Sequence, residues 1–560
     1  MLSIDLYKIL LLKNIKQYTG EEKMRKRAIG IFVCMMLLIT ATLAVAVNVD
    51  EIKPTSRGWS EKQKLLATDG SGDDRFGSSV DINGYDAIIG AYFDDVSTKN
   101  NAGSAYVFIY TGSSWTQQAK LTASDADNDD EFGISVSIDG DYAIVGAHKE
   151  DGSGTDRGAA YVFYRSGTTW TQQQKLTPGD TADNDFFGKS VSIDGEYAIV
   201  GCPGKNSNQG FSYIFKRTGT VWSQMTKVGA TGSNKLGWSV SISMPCVIMG
   251  AYGTNSNTGA AHIYELQGSS WYGKGALTAS DGVSADLFGI SVSIDSDYAI
   301  CGSPGHDLTY GGEGAAYIFE KPGTGWATMT ETQKITASDN EGGDGFGQSV
   351  SVDGDGIFVA APGEDGTGNA RGAGYIFNRG SSSWSEATKV IASDAANDDY
   401  FGWGVSISGN SAISGAYADD NTNGVDAGSA YIFEWTNQAP STPTINGPTS
   451  GIPGTPYNYK FKSTDPDGDQ VSYYVKWGDN TNTGWFGPFD SGVEQTKSHS
   501  WSSTGTYIIE AKAKDVHDAE SGWGTLTVTI PKTKAMNMPF LRFLENYPTL
   551  YQIIKTILEK

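Results

Sequence analysis

The chain has 560 residues, a formal net charge of −23 and charged side chains at only 19%. That length exceeds a single hydrophobic core and implies several domains, while so acidic a chain argues against nucleic acid as a partner, because phosphate binding needs a basic surface. Its 71 glycines stand well above the usual share of about 7% and fit a turn-rich all-β chain.

Residues 24–47, MRKRAIGIFVCMMLLITATLAVAV, carry a basic head, an apolar stretch and small residues at Ala44 and Ala46. This is the layout of a secretory signal peptide, removed before the mature protein folds. The apolar stretch also nears the roughly 20 residues that span a bilayer, so an uncleaved anchor through residues 28–47 is the second reading, and both predict export. Signal peptides begin near the initiator, so residues 1–23 read as an extension from an upstream start, with a cytoplasmic tail as the alternative.

From Trp59 to residue 435 the chain repeats one unit, seen most clearly from Phe132 to Leu176. A Phe-Gly pair marks it at Phe76, Phe132, Phe187, Phe288, Phe346 and Phe401, with Leu236-Gly237 as the one substitution, at spacings of 49 to 58 residues. A fixed period means one supersecondary unit copied in series. Each unit holds four short apolar runs bounded by Gly, Asp, Asn or Ser, for example Gly133 to Ile138, Tyr142 to Ala147, Ala159 to Tyr164 and Trp170 to Leu176, which is the pattern of strands joined by tight turns. Four strands in each of seven copies predict a seven-bladed β-propeller. A Trp strand occurs at Trp59, Trp115, Trp170, Trp222, Trp271, Trp326 and Trp384, so one precedes the first Phe-Gly and none follows the last blade. Residues 59–66 are therefore expected to close blade seven, whose edge would otherwise expose a row of unpaired backbone groups. The seven tryptophans read as packing between blades. Cys202, Cys246 and Cys301 fall on second strands where other copies have small apolar residues, and no Cys-x-x-Cys spacing exists, so they read as core residues.

Beyond Phe433 the composition changes. Residues 437–451, with Pro440, Pro443 and Pro448, read as a stiff linker. Residues 452–531 alternate as strands over Tyr457 to Phe461, Val471 to Trp477, Tyr507 to Lys514 and Thr525 to Ile530. Residues 536–560 switch to a helical apolar period, with Phe540, Leu544, Tyr547, Leu550, Tyr551, Ile554, Ile557 and Leu558. That amphipathic tail is too short to span a bilayer, and it would dock on the sandwich, a membrane surface or an attachment machinery.

The Phe-Gly of strand one and the close of strand two, as in Gly146-Ala147-His148, Gly201-Cys202-Pro203 and Ala360-Ala361-Pro362, resemble FG-GAP repeats, the units of the integrin α-subunit propeller and of many prokaryotic surface proteins. The resemblance covers residues 59–435 and implies a ligand-binding loop face. Integrins often place a calcium loop between strands one and two; here that turn has shrunk to Asp139-Gly140, Asp194-Gly195 or Asn83-Gly84, too short to offer the six to eight oxygens calcium takes. Trp477-Gly478-Asp479-Asn480 and Gly505 to Asp515 resemble PKD domains, Ig-like β-sandwiches that serve as spacers on surface proteins.

The chain has five histidines and no Gly-x-Ser-x-Gly elbow, His-Glu-x-x-His helix or phosphate loop, so no enzyme is expected. The acidic loops are more informative. Loops joining strands two to three and those joining successive blades emerge on one face, and both are acidic, as at Asp125, Asp127, Asp129 and Asp130 and again at Asp394, Asp398 and Asp399; blade four, with Thr231-Gly232-Ser233-Asn234-Lys235, is the exception. Two readings compete: Asp caps turns and keeps the ring soluble, or adjacent loops form oxygen cages for calcium. Asp465, Asp467 and Asp469 in DPDGDQ alternate in the manner of calcium ligands, or form a solvated turn. The expectation is an exported, surface-held recognition or adhesion protein binding a protein or glycan through its loop face. A structural surface-layer component and a secreted hydrolase or lyase are the alternatives.

Overall fold

The computed structural model describes residues 58–380, 382–532, 543–544 and 546–558. The export segment at 24–47 and the extension at 1–23 lie outside the described residues.

Seven sheets, each built on four antiparallel strands, make the propeller, beginning with Phe76–Asn83, Asp86–Ala91, Ser104–Tyr110 and Trp115–Leu121. Blade four carries an extra short strand, Met329–Thr330, parallel to its outer strand Ser270–Thr278. The last blade, Phe401–Ser408, Ser411–Ala416 and Ser429–Trp435, takes its fourth strand from the other end of the chain. Trp59–Leu65 pairs antiparallel with Ser429–Trp435, from Trp59 opposite Trp435 to Leu65 opposite Ala430. This joint replaces an open sheet edge with backbone hydrogen bonds and ties the two ends of the ring together.

The repeated motif follows from packing at the blade boundaries. Phe132 is fully buried, edge-on to Tyr161 at 5.5 Å and to Phe163 at 6.0 Å inside its own blade. Gly133, at φ +97°, lies so close to the preceding blade that a Cβ would collide with Ser104 O, and one on Gly90 of that blade would collide with Gly133 O. Phe thus fills the blade and Gly lets the next one approach, at a φ that L side chains rarely adopt.

A second contact system runs around the central channel, which has a volume of about 370 Å³ and is lined by the Val-Ser-Ile-Asp segments of the inner strands. Each serine accepts a backbone N–H from the next blade: Ile193 N to Ser137 Oγ at 3.3 Å, Ile242 N to Ser192 Oγ at 3.2 Å, Ile294 N to Ser241 Oγ at 3.2 Å. In blade one the position is Asp81, which accepts from Ile138 N at 2.8 Å and from Ser406 Oγ at 2.8 Å. One turn lower, Asp139, Asp194, Asp295 and Asp353 accept from Gly195, Met244, Gly354 and Gly409 N–H groups at 2.6–3.0 Å. Because Asp139 pairs with Tyr142, the two turn residues are Gly140-Asp141, one position later than the Asp-Gly expected, and the Asp is released to link blades.

Blade five departs from the expected Trp strand. Its outer strand is Gln333–Ile335, while Trp326 lies ahead of it in a loop, still only 4% exposed. Pro322, which has no N–H to offer a sheet ladder, interrupts the segment before it resumes pairing.

The second domain is a sandwich of a three-stranded sheet, Thr444–Asn446, Tyr457–Lys462 and Gln495–His499, and a four-stranded sheet, Asn482–Phe489, Val471–Lys476, Gly505–Lys514 and Gly524–Ile530. Tyr459, Phe461, Tyr473, Trp477 and Trp501 fill its core. Thr444–Asn446 pairs with Lys460–Lys462, so the second half of the segment read as linker belongs to the sandwich. Asn482–Phe489 escaped the sequence reading because Gly484, Gly487 and Pro488 imitate a loop; Gln495–His499 escaped because an edge strand needs no apolar face.

Near the C-terminus a helix, α1, runs over Pro548–Leu558, starting at a proline. Proline suits a first helical position, where no N–H is required. Leu550, Tyr551, Ile553 and Ile557 on this helix are exposed.

Candidate metal centre and the propeller loop face

The chain leaves the propeller at Trp435, whose ring meets His517 of the sandwich at 4.9 Å. At this joint the loop Asp465 to Asp469 folds on itself: Asp465 Oδ1 accepts the N–H groups of Asp467 at 2.9 Å and of Asp469 at 3.2 Å, and Gly468 takes φ +85°. The fold turns one oxygen of each carboxylate inward, and the three lie within 4.8 Å of one another. Asp465 is 3% exposed. Asn437 completes the arrangement. Its Nδ2 donates to Asp515 Oδ2 at 2.9 Å, and the next residue, Gln438, donates its N–H to Asp467 Oδ2 at 2.6 Å. Four buried oxygens are left without a hydrogen bond: Asn437 Oδ1, Asp465 Oδ2, Asp467 Oδ1 and Asp469 Oδ2.

An unpaired buried carboxylate is costly, and three together are more so. Burial raises the pKa of Asp465 and of Asp469, with neighbouring carboxylates pushing the same way. His517 Nε2, 3.6 Å from Asp469 Oδ2, is the nearby basic group. A hard, all-oxygen donor set with one carbonyl and three carboxylates fits calcium, which takes oxygen ligands in flexible geometry. Asp465, Asp467 and Asp469 were legible in the sequence; Asn437 and Asp515 were not, since Asn437 lies 28 positions before Asp465 and Asp515 lies 46 positions after Asp469.

The loop face of the propeller is organised differently. In blade two, Lys175 lies over the Tyr161 ring at 5.4 Å and bridges Asp125 at 2.7 Å and Glu150 at 2.8 Å. Blade seven repeats this with Lys64, Tyr431, Asp394 at 2.7 Å and Asp419 at 2.8 Å. Lys120 and Lys389 do the same in blades one and six. Asp130 and Asp399 are buried turn caps, accepting the N–H groups of Asp127 at 2.7 Å and Ala396 at 2.6 Å. Burial pushes both pKa values up to about 6. Asp129 and Asp398 each accept an Asn side chain, from Asn101 at 2.8 Å and Asn369 at 2.7 Å, and Asp127 pairs with Lys99 at 2.8 Å. These seven carboxylates are thus spent on lysines, asparagines and turns. Among the described residues the group of three or more that converges at metal-binding distance is Asp465, Asp467 and Asp469.

The FG-GAP repeat model matches residues 59–108, 115–163, 170–215, 271–319, 329–377 and 384–433. The chain belongs to the FG-GAP repeat family. In this FG-GAP protein the stretch between the third and fourth matched segments still forms the inner strands of a blade, Val240–Ser243, Cys246–Gly250 and Ala261–Gln267, completed by Ser270–Thr278. There His262 and Ala276 stand opposite each other where blade two has Tyr161 and Lys175, so the lysine bridge is missing. The second domain is PKD/Ig-like. Among solved structures, the PKD domain of an M14-like peptidase from Thermoplasmatales archaeon SCGC AB-540-F20 is 52% identical over 17% of this chain and 100% of that one, with a TM-score of 0.17. Two structures of a CARDB domain from Pyrococcus furiosus, one of them in complex with di-metal ions, are 18% and 17% identical over 16% and 17% of this chain and 94% and 96% of theirs, with TM-scores of 0.13 and 0.14. No curated protein matches the chain. FG-GAP repeats joined to a PKD/Ig-like domain mark an extracellular or surface protein. Among the described residues no helix is long and apolar enough to cross a membrane.

Proposed function

We propose that this FG-GAP protein is a non-enzymatic surface recognition or adhesion protein: a propeller head that binds a macromolecular partner through its loop face, carried on an Ig-like stalk whose joint is stiffened by calcium. The observation that carries the reading is the joint itself. Four orphaned oxygens from the segment leaving the propeller and the sandwich's first long loop ask for a cation, and a cation bound there would hold the head at a set angle to the stalk. A rigid presentation is of use to a protein that must offer one face outward, and the lysine bridges of the loop face supply the matching rigidity in the head.

The test has two parts. Calorimetric titration of the purified exported chain with calcium is expected to show one site, abolished by Asp467→Asn. Affinity capture from cell-envelope extract is expected to enrich a defined partner that binds the purified chain directly and binds less to a variant carrying Asp127→Ala and Asp129→Ala, two loop-face carboxylates engaged with Lys99 and Asn101. Concentration-dependent self-assembly with no other partner would instead establish the surface-layer alternative.

A further inference from the structure

Seven copies of one unit let a loop be compared with its counterparts in the same chain. In blades two, five and six the connection between the second and third strands has one length and one frame. Gly158 N–H donates to Glu150 O at 2.8 Å, Gly314 N–H to His306 O at 3.0 Å and Gly372 N–H to Glu364 O at 2.9 Å. Within that frame Asp151, Asp307 and Asp365 accept, through Oδ1, the N–H groups of Asp156, Gly312 and Ala370 at 2.7–3.0 Å. The three loops therefore match residue for residue.

Three linked replacements set blade five apart. At the middle of the loop, blades two and six have Gly154 and Gly368, and blade five has Tyr310. Four residues before the phenylalanine of the following blade stand Asp183 and Asn397 in those two cases, and Gly342 after blade five. Just before the closing glycine stand Arg157 and Arg371, and in blade five Glu313. The three positions meet in space. A Cβ on Gly154 would collide with Asp183 Oδ1 and Arg157, and one on Gly368 with Asn397 Oδ1 and Arg371, so those blades leave no room for a side chain there. In blade five both obstructing groups are replaced, and a Cβ on Gly342 would lie 3.0 Å from Tyr310 Cβ.

The arginines steady their loops from outside: Arg157 donates to Asp183 Oδ1 at 3.0 Å and to Ser153 Oγ at 2.9 Å, and Arg371 donates to Thr367 Oγ1 and Ala395 O. Glu313 is a clamp from within. Its buried carboxylate accepts four successive N–H groups, from Leu308 at 3.0 Å, Thr309 and Tyr310 at 2.5 Å, and Gly311 at 2.9 Å. Bonds to an ionised acceptor are the strong kind, so the backbone at the tip is fixed. What it holds out is apolar: Tyr310 is 74% exposed and Leu308 37%. Closing the ring does not require that side chain, since blades two and six close with glycine in its place.

We propose that Tyr310, with Leu308, is the anchor by which the loop face engages a protein partner, the ring entering an apolar pocket whose rim is basic. A loop already fixed in shape loses little freedom on binding, and tyrosine is among the side chains that carry most of an interface's energy. The ring rises from Gly311, Gly312, Gly342 and Gly343, which offer neither side-chain donors and acceptors for sugar hydroxyls nor a second flat surface for a sugar to lie on, so a pocket suits it and a glycan does not. The basic rim follows from charge: Asp307 in the loop and Glu341 beside Gly342 are exposed carboxylates on a chain of net charge −23, and complementary potential on the partner is positive. The inference rests on the loop face being the binding surface and names the kind of partner that face takes.

The full chain and its Tyr310→Gly variant, which takes the residue that blades two and six already carry, are immobilised and exposed to cell-envelope extract that is untreated, protease-digested or periodate-oxidised, with melting curves checking that the variant folds. The proposal is supported by a protein retained from untreated and oxidised extract and lost on digestion. Once purified, that protein should bind the full chain directly, bind Tyr310→Gly at least about tenfold more weakly, and lose affinity as salt rises from about 0.05 M to about 0.5 M. Retention that survives digestion but not oxidation assigns the face to a glycan and overturns the proposal, as does an affinity indifferent to salt. A protein bound equally by Tyr310→Gly, yet more weakly by the variant carrying Asp127→Ala and Asp129→Ala, overturns the anchor and leaves the loop-face reading standing. Retention of nothing by the full chain overturns both.

Discussion

Removing one carboxylate at the joint should have opposite effects with and without calcium. Three carboxylates face one another within 4.8 Å, so each pair repels by about 3 kcal/mol or more at an effective dielectric constant of about 20. Asp467→Asn keeps an oxygen to accept the Gln438 N–H but removes the charge. In a chelator the variant is therefore expected to melt above the wild type. With calcium the order reverses, because the wild type alone gains the full binding energy, about 2.7 kcal/mol at a concentration about 100-fold over Kd. For a sandwich of this size about 1 kcal/mol moves Tm by roughly 4–8 °C, so the calcium-dependent rise is on the order of 10 °C. Extracellular calcium modules bind with Kd values of about 0.1–1 mM, which sets the concentration range. Differential scanning calorimetry of the full chain in EGTA and in calcium reads both signs at once. Superimposable wild-type transitions in the two buffers would refute the argument, and so would a variant that melts lower in the chelator. Since burial raises the pKa of Asp465 and Asp469, protons compete for the same oxygens and the calcium effect should shrink as pH falls.

The remaining predictions concern the ring. Gly133→Ala combines a φ of +97° with a backbone collision against the preceding blade; strain of that kind costs about 1–3 kcal/mol before the clash is counted, and urea unfolding should show the loss while Gly140→Ala, with nothing within 4 Å, costs only its positive-φ strain. Trp59 is 4% exposed in blade seven, so Trp59→Ala should cost about 3–5 kcal/mol, and a chain beginning at Thr68 should aggregate, as light scattering would show; a monomeric, stable product would mean that the closing strand is dispensable. Asp74, Asp130, Asp344 and Asp399 have pKa values pushed up to about 6 by burial, against about 3.9 in an unfolded chain. Raised in the folded state, they contribute stability that is full below about pH 4 and lost as pH rises through about 6. Asp125 and Asp394 run the other way: against the pull of burial, hydrogen bonds from Lys175 and Lys64 hold them below the usual range, so their contribution fails only in stronger acid. The propeller should accordingly melt higher at pH 5 than at pH 7.5, and a melting temperature that stays level or rises from pH 5 to pH 7.5 would contradict the assignment.

What the sequence alone determined is what repeats or alternates. A Phe-Gly at a fixed period has to be one unit in series, because the same burial and the same close approach must recur at every blade boundary, and the phase of the Trp strands leaves one strand over at the start and one wanting at the end. Strands in the sandwich were legible where an apolar face alternates, as in Tyr457–Lys462, and illegible where the residues meet solvent or carry Gly and Pro, as in Asn482–Phe489. Composition could not say which of many Asp residues lacks a partner. That depends on side chains far apart in the chain: Lys175 reaching Asp125, Asn369 reaching Asp398, Asn437 arriving beside Asp467. An identical Asp-rich loop is a satisfied turn in the first two places and a candidate cation cage in the third, and only the tertiary structure decides, because a carboxylate's role is set by which charges and donors the fold brings within about 4 Å of it.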